Sequence, residues 1–143
     1  MPLAAAYKIF AWNQDEVIMK INKNKIFAVI MAGGKGERLW PLSTEERPKP
    51  LISLNGQQTL LEDTVQQLFP LLNAENVFVI TDEKSAVQSR AILMLPAENI
   101  IAEPCRRNTA PCIALAAALI KRRCEDATMI VLPAPYRFDA IKQ

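Results

Sequence analysis

A continuous apolar run, Ile26-Phe27-Ala28-Val29-Ile30-Met31-Ala32, passes directly into Gly33-Gly34-Lys35-Gly36. With no polar residue on either side of the alternation, the run predicts a strand buried on both faces. Such a strand must be covered from above and below, which excludes a half-solvated antiparallel sheet and points to an α/β fold. The glycines fall at its carboxyl end, where open α/β sheets bind their ligands.

The rest of the chain continues the same alternation. Leu39 to Asn55 contains Pro41, Pro48 and Pro50 and is expected to be mostly extended loop. Helical spacing of Leu60, Leu61, Thr64, Val65, Leu68 and Leu72 predicts a helix over Thr59 to Leu72. Strands are expected at Asn76 to Thr81, Asn99 to Ala102 and Thr128 to Leu132, with helices at Glu83 to Leu95 and Thr109 to Arg123. Asn108 or Thr109 would cap the last helix, and Pro111 is tolerated in its first turn. Apolar residues on nearly every side of that helix predict that it is buried. The order β-α-β-α-β-α-β implies a Rossmann-like open, mainly parallel sheet with flanking helices and right-handed crossovers. No internal repeat stands out.

Residues 1–24 have weak patterning and read as an N-terminal extension, with Met19 as an alternative start. Residues 25–133 form the patterned domain, and 134–143 read as a divergent tail. An α/β sheet would continue with a further helix after the fourth strand. Pro133, Pro135 and a short tail stand there instead, so the architecture reads as C-terminally truncated.

Composition narrows the chemistry. The chain has no histidine, which excludes Ser-His and Cys-His nucleophile pairs, histidine-ligated zinc and an imidazole base. Lys, Arg, carboxylates, backbone amides and metal ions remain. At 50% hydrophobic residues and a net charge of +2, disorder is excluded and a basic nucleic-acid binder is not suggested. No apolar run approaches the ~20 residues of a membrane helix. The first residues lack the basic start and long apolar core of a signal peptide. Cys105, Cys112 and Cys124 are odd in number and lack C-x-x-C spacing, as expected of reduced thiols in a cytoplasmic protein.

Three segments carry candidate chemistry. Ala32-Gly33-Gly34-Lys35-Gly36-Glu37-Arg38-Leu39 would bring backbone N–H groups and two cations to an anion, with a triphosphate as the natural guest. It is neither a G-x-G-x-x-G turn, which needs glycine at Leu39, nor a P-loop, which needs Gly-Lys-Ser/Thr. A plain glycine turn with solvated charges is the alternative. In Arg47-Pro48-Lys49-Pro50 the prolines present Lys49 from a stiff extended segment, where its ammonium can neutralise phosphate charge; a solvated loop is the competing reading. Glu103-Pro104-Cys105-Arg106-Arg107-Asn108-Thr109-Ala110-Pro111 opens the last helix, whose amino end favours anions. Asn108 and Thr109 could serve there as caps alone.

Together, Gly33-Gly34-x-Gly36-x-Arg38-Leu39-x-Pro41-Leu42, Arg47-Pro48-Lys49-Pro50 and Glu103-Pro104-x-x-x-Asn108-Thr109-Ala110-Pro111 resemble the sugar-1-phosphate nucleotidyltransferases. Asn-Thr-Ala-Pro, with Trp40 in the first loop, is most similar to the mannose-1-phosphate guanylyltransferase (GDP-mannose pyrophosphorylase) branch. The resemblance covers Lys25 to Pro133 and implies a glycosyltransferase-A-like fold. It implies the reaction of GTP with mannose 1-phosphate to GDP-mannose and pyrophosphate, without nucleic-acid or membrane partners. By the same resemblance Ala32, Gly33, Gly34 and Gly36 approach the nucleotide through the backbone. Arg38 holds the leaving phosphates, Lys49 neutralises the α-phosphate, and Asn108 and Thr109 line the base and ribose.

The resemblance breaks after the fourth strand. The family places a magnesium-binding Asp there, where this chain has Pro135, a residue without a side-chain oxygen. No metal ligand is therefore assigned; Asp82, Glu103 and Asp139 lie elsewhere. A glucose-1-phosphate enzyme using UTP, TTP or ATP, or a non-catalytic nucleotide-binding fragment, are the alternative readings.

Overall fold

The computed structural model describes residues 22–34, 36–54, 56–104 and 108–134. Expectations for residues 1–21, and for the tail beyond Ala134 including Pro135, lie outside them.

Four strands form one parallel sheet in the order β3-β2-β1-β4: β1 (Ile26–Met31), β2 (Val77–Asp82), β3 (Ile100–Glu103) and β4 (Thr128–Pro133). The register runs from Ile26 opposite Thr128 to Met31 opposite Pro133, and Asp82 lies opposite Glu103 at the carboxyl edge. The α/β expectation holds.

Strand alternation divides the apolar residues between two cores. Ala28, Ile30, Val77 and Val79 pack with Leu61, Val65 and Leu68 of α1 (Leu60–Leu68) and Ala86 of α2 (Glu83–Ile92). Phe27, Val29, Phe78 and Ile80 pack on the opposite face with Cys112, Ala116 and Ile120 of α3 (Thr109–Arg123). This sidedness follows from topology. The chain moves outward from β1 to β3 and then returns past β1 to β4, and right-handed crossovers in opposite directions lie on opposite faces.

Local chemistry sets the element ends. Thr59 and Glu62 form a reciprocal capping box on α1, and Pro70, which has no N–H, stops the helix short of the expected Leu72. Asp82 caps α2 by accepting from the Ser85 N–H at 3.0 Å and its hydroxyl at 2.8 Å. That helix ends at Ile92 because Leu93 turns extended and buries its side chain.

The expectation that α3 is buried is corrected. Only the stripe Cys112, Ala116 and Ile120 is buried, while Ala114, Ala117 and Ala118 are exposed. The helix is the outer layer, and alanine supplies helix propensity there without requiring cover.

A small repetition organises the amino edge. Ala-Glu-Asn occurs as a 3-10 turn before β2 and again before β3. Asn76 Nδ2 donates to the carbonyls of Lys23, Asn24 and Ile26, and Asn99 Nδ2 to those of Ala74, Glu75 and Val77. Each asparagine thus ties its own turn to the turn of the neighbouring strand. A Lys25–Asp126 ion pair of 3.3 Å adds a clasp between β1 and the approach to β4. The amino edge is closed in this way, whereas the carboxyl edge holds a cavity.

Candidate functional site

That cavity measures about 380 Å³ and lies on the α3 side of the sheet. Met31 and Ile80 form its apolar floor, Gly33 and Gly34 one wall, and Glu103 with Asn108, Thr109 and Cys112 the other. Each group arrives from a strand's carboxyl end or from the start of α3, because parallel strands deliver all their exits to one edge.

The glycine loop has an anchored start and an open middle. Ala32 donates its N–H to Ile80 O at 2.8 Å, and its carbonyl accepts from the Thr81 hydroxyl at 2.9 Å. With both groups engaged, Ala32 is the hinge pin of the loop and has no spare N–H to offer. A Cβ on Gly34 would meet nothing within 4 Å, and one on Gly33 would come no closer than 3.7 Å, to Glu103 Oε2. These two positions present bare backbone to the cavity.

Gly36 and Lys49 meet each other and are not among the described residues that line the cavity. Gly36 adopts a left-handed conformation with φ 70°, and its Cβ position is filled by Lys49. Its carbonyl accepts from Leu39 N–H and from the Ser43 hydroxyl. Lys49 does not sit on an extended segment, as the flanking prolines suggested. Pro48 is extended, but Lys49 starts a 3-10 turn through Leu51, with Pro50 and Leu51 buried. Proline's fixed φ suits the first turn of a helix as well as an extended chain. Arg38 lies on another 3-10 turn, Glu37–Leu39; its side chain is outside the described residues.

Asn108 and Thr109 do reach the cavity. Asn108 has φ 68° and ψ −170°, a conformation usually left to glycine, and its side chain makes no capping bond to α3. An unusual backbone at a cavity rim is where function tends to hold strain. Glu103 and Cys112 were not singled out as site residues from sequence. The position of Glu103 as the last residue of β3 is the signal that could have found it. Burial first, and then the charge and hydrogen bond of Glu103, push the Cys112 thiol up to about 11.

The described carboxylates do not fit a magnesium site. Asp82 is engaged in capping α2, Glu103 stands alone in the cavity, and among the described residues no three His, Cys, Asp or Glu side chains converge. Asp139 and Pro135 fall outside the described residues. No helix among them is long and apolar enough to cross a membrane.

The nucleotidyl transferase family matches residues 27–140. A mannose-1-phosphate guanylyltransferase of Salmonella muenchen is 47% identical over 118 residues, covering 79% of this chain and 25% of that protein. The alginate biosynthesis protein AlgA of Pseudomonas putida is 41% identical over 113 residues, covering 78% and 23%. The crystal structure of the mannose-1-phosphate geranyltransferase of Thermus thermophilus aligns with a TM-score of 0.64 and 39% identity, over 76% of this chain and 32% of that one. The chain thus spans about a quarter of the length of these curated relatives. With the family matched over residues 27–140, most of its length, and the fold shared with a solved relative, this chain belongs to the nucleotidyl transferase family.

Proposed function

We propose that the cavity is the nucleotide half of a mannose-1-phosphate guanylyltransferase site. It would hold GTP while an oxygen of mannose 1-phosphate attacks the α-phosphorus. The new P–O bond forms as the α–β bridging bond breaks, giving GDP-mannose and pyrophosphate. The carrying observation is that Gly33-Gly34, Glu103 and Asn108-Thr109, far apart in sequence, line one cavity.

Each group has a task that its chemistry supports. The backbone of Gly33 and Gly34 and the amino end of α3 would meet the phosphates. Lys49, standing against Gly36, would neutralise the α-phosphate, and Arg38 would hold the leaving β- and γ-phosphates. Asn108 and Thr109 would line the ribose and base, over the apolar floor of Met31 and Ile80. Glu103 supplies selectivity. A carboxylate accepts from both the N1–H and the 2-amino group of guanine, whereas adenine turns a lone pair toward it. Positioning and charge neutralisation of this kind need no histidine. Magnesium would supply charge neutralisation in such chemistry, but the described residues form no site for it, and none of these roles depends on it. Consumption of GTP and an odd number of cysteines, of which Cys112 and Cys124 are free among the described residues, are consistent with a cytoplasmic setting.

Titration calorimetry of the chain with GTP and ATP tests the reading. GTP should bind more tightly, and Glu103→Gln should erase the preference. Absence of heat at millimolar GTP with folded protein would overturn it. Tighter binding of ATP or UTP would favour a glucose-1-phosphate type of enzyme instead.

A further inference from the structure

We propose that Thr81 is a positioning residue for the glycine loop: its buried hydroxyl holds the Ala32 carbonyl toward β2, which fixes the Ala32–Gly33 peptide and sets the Gly33 N–H for the nucleotide's phosphates. This deepens the guanylyltransferase reading and rests on it.

Thr81 is the polar exception in its strand. Val77, Phe78, Val79 and Ile80 before it are buried and apolar, and Thr81 itself is 0% exposed. Valine has the same shape and leaves no buried hydroxyl to satisfy. What the hydroxyl adds is its bond to the Ala32 carbonyl, at 2.9 Å. Strand alternation puts the Thr81 side chain on the face of Val77 and Val79, whereas Ile80 floors the cavity on the other face. Thr81 thus acts from behind the site and touches no ligand there. Its β-branched side chain, in a strand paired on both sides, leaves the oxygen little freedom.

The acceptor sits where the loop leaves the sheet. Ala32 N–H already donates to Ile80 O at 2.8 Å, so β2 holds both polar groups of this residue. In a trans peptide the carbonyl and the following N–H point in opposite directions. With the Ala32 carbonyl held toward β2, the Gly33 N–H points away from β2. Without that bond the peptide plane is free to turn, because glycine accepts φ of either sign. A turned plane would replace an N–H that attracts an anion with a carbonyl that repels it.

Two measurements on the full chain test this. Amide hydrogen exchange followed by mass spectrometry should be faster in Thr81→Val for the peptide spanning Gly33 and Gly34, and unchanged for α1 and α3. Separately, calorimetry compares GTP with guanosine, which lacks the phosphates. Thr81→Val should lower the GTP to guanosine affinity ratio about three- to tenfold, the scale of one hydrogen bond, and Thr81→Ser should restore it. Loop exchange at the wild-type rate in Thr81→Val overturns the restraint whether or not nucleotide binds. A wild-type ratio in Thr81→Val, where the wild type prefers GTP, overturns the positioning role and leaves the guanylyltransferase reading standing. An equal loss in Thr81→Ser, an equal loss of GTP and guanosine, or failure of Thr81→Val to fold gives Thr81 a purely structural role and overturns the proposal. No gain from the phosphates in the wild type removes both readings.

Discussion

The Cα–Cβ direction of Gly36 points into the Cβ of Lys49, so the glycine loop and the proline-flanked turn share one space. At Gly36 the missing side chain also permits the left-handed φ of 70°. Gly36→Ala therefore meets both a backbone penalty and a clash. It should destabilise the chain by about 1–3 kcal/mol, read by urea unfolding.

Gly34 provides the contrast. A Cβ there meets no atom within 4 Å, so Gly34→Ala should leave the melting temperature unchanged while weakening GTP binding in calorimetry. Equal effects of the two substitutions on stability would contradict this separation of fold from site.

The asparagine clasps should differ in strength. Asn99 is fully buried and donates to Ala74, Glu75 and Val77 carbonyls. Asn99→Ala leaves those acceptors short of a donor and should cost about 1–3 kcal/mol. Asn76, which is half-buried, should matter less because water replaces its bonds. Paired urea titrations would decide, and an equal or larger loss for Asn76→Ala would contradict the argument.

Cys112 makes stability fall with pH at the alkaline end. Its folded pKa of about 11 exceeds the ordinary 9.0, so above that value the unfolded chain releases a proton that the folded chain retains. The contribution is fully present below pH 9.0 and is lost as pH rises through about 11. The stability difference between wild type and Cys112→Ala, from urea titrations over this range, should shrink accordingly. A difference that grows with pH would reverse the sign.

β4 is an edge of the described sheet, and Ile130 on it is 41% exposed. Unpaired backbone beside an apolar side chain promotes pairing between chains. Ile130→Lys should reduce self-association in sedimentation velocity, with little change in melting temperature. Identical sedimentation of both proteins would place the association elsewhere.

Much of this protein is legible along the chain. The run Ile26 to Met31 declares a doubly covered strand because both sides of its alternation are apolar, and β-α alternation then demands a parallel sheet. The ends of α1 and α2 follow less closely, since they depend on Pro70 and on where Leu93 finds the core. The glycine loop and Lys49 are visible as residue types suited to phosphate, whereas Asn108 and Thr109 read as helix caps from the residues and as nucleoside contacts only through the family resemblance. Their assembly is not visible. Only the tertiary structure decides that Gly33, Gly34, Asn108 and Thr109 share a cavity with Glu103 and Cys112, while Gly36 and Lys49 pack on each other outside its lining. It also decides that α3 is an outer layer, which composition cannot reveal because alanine suits buried and exposed helix faces alike. Periodicity records which face of an element is covered. Which exits of the sheet meet is a matter of strand order and crossover direction, and neither is written in any local stretch of sequence.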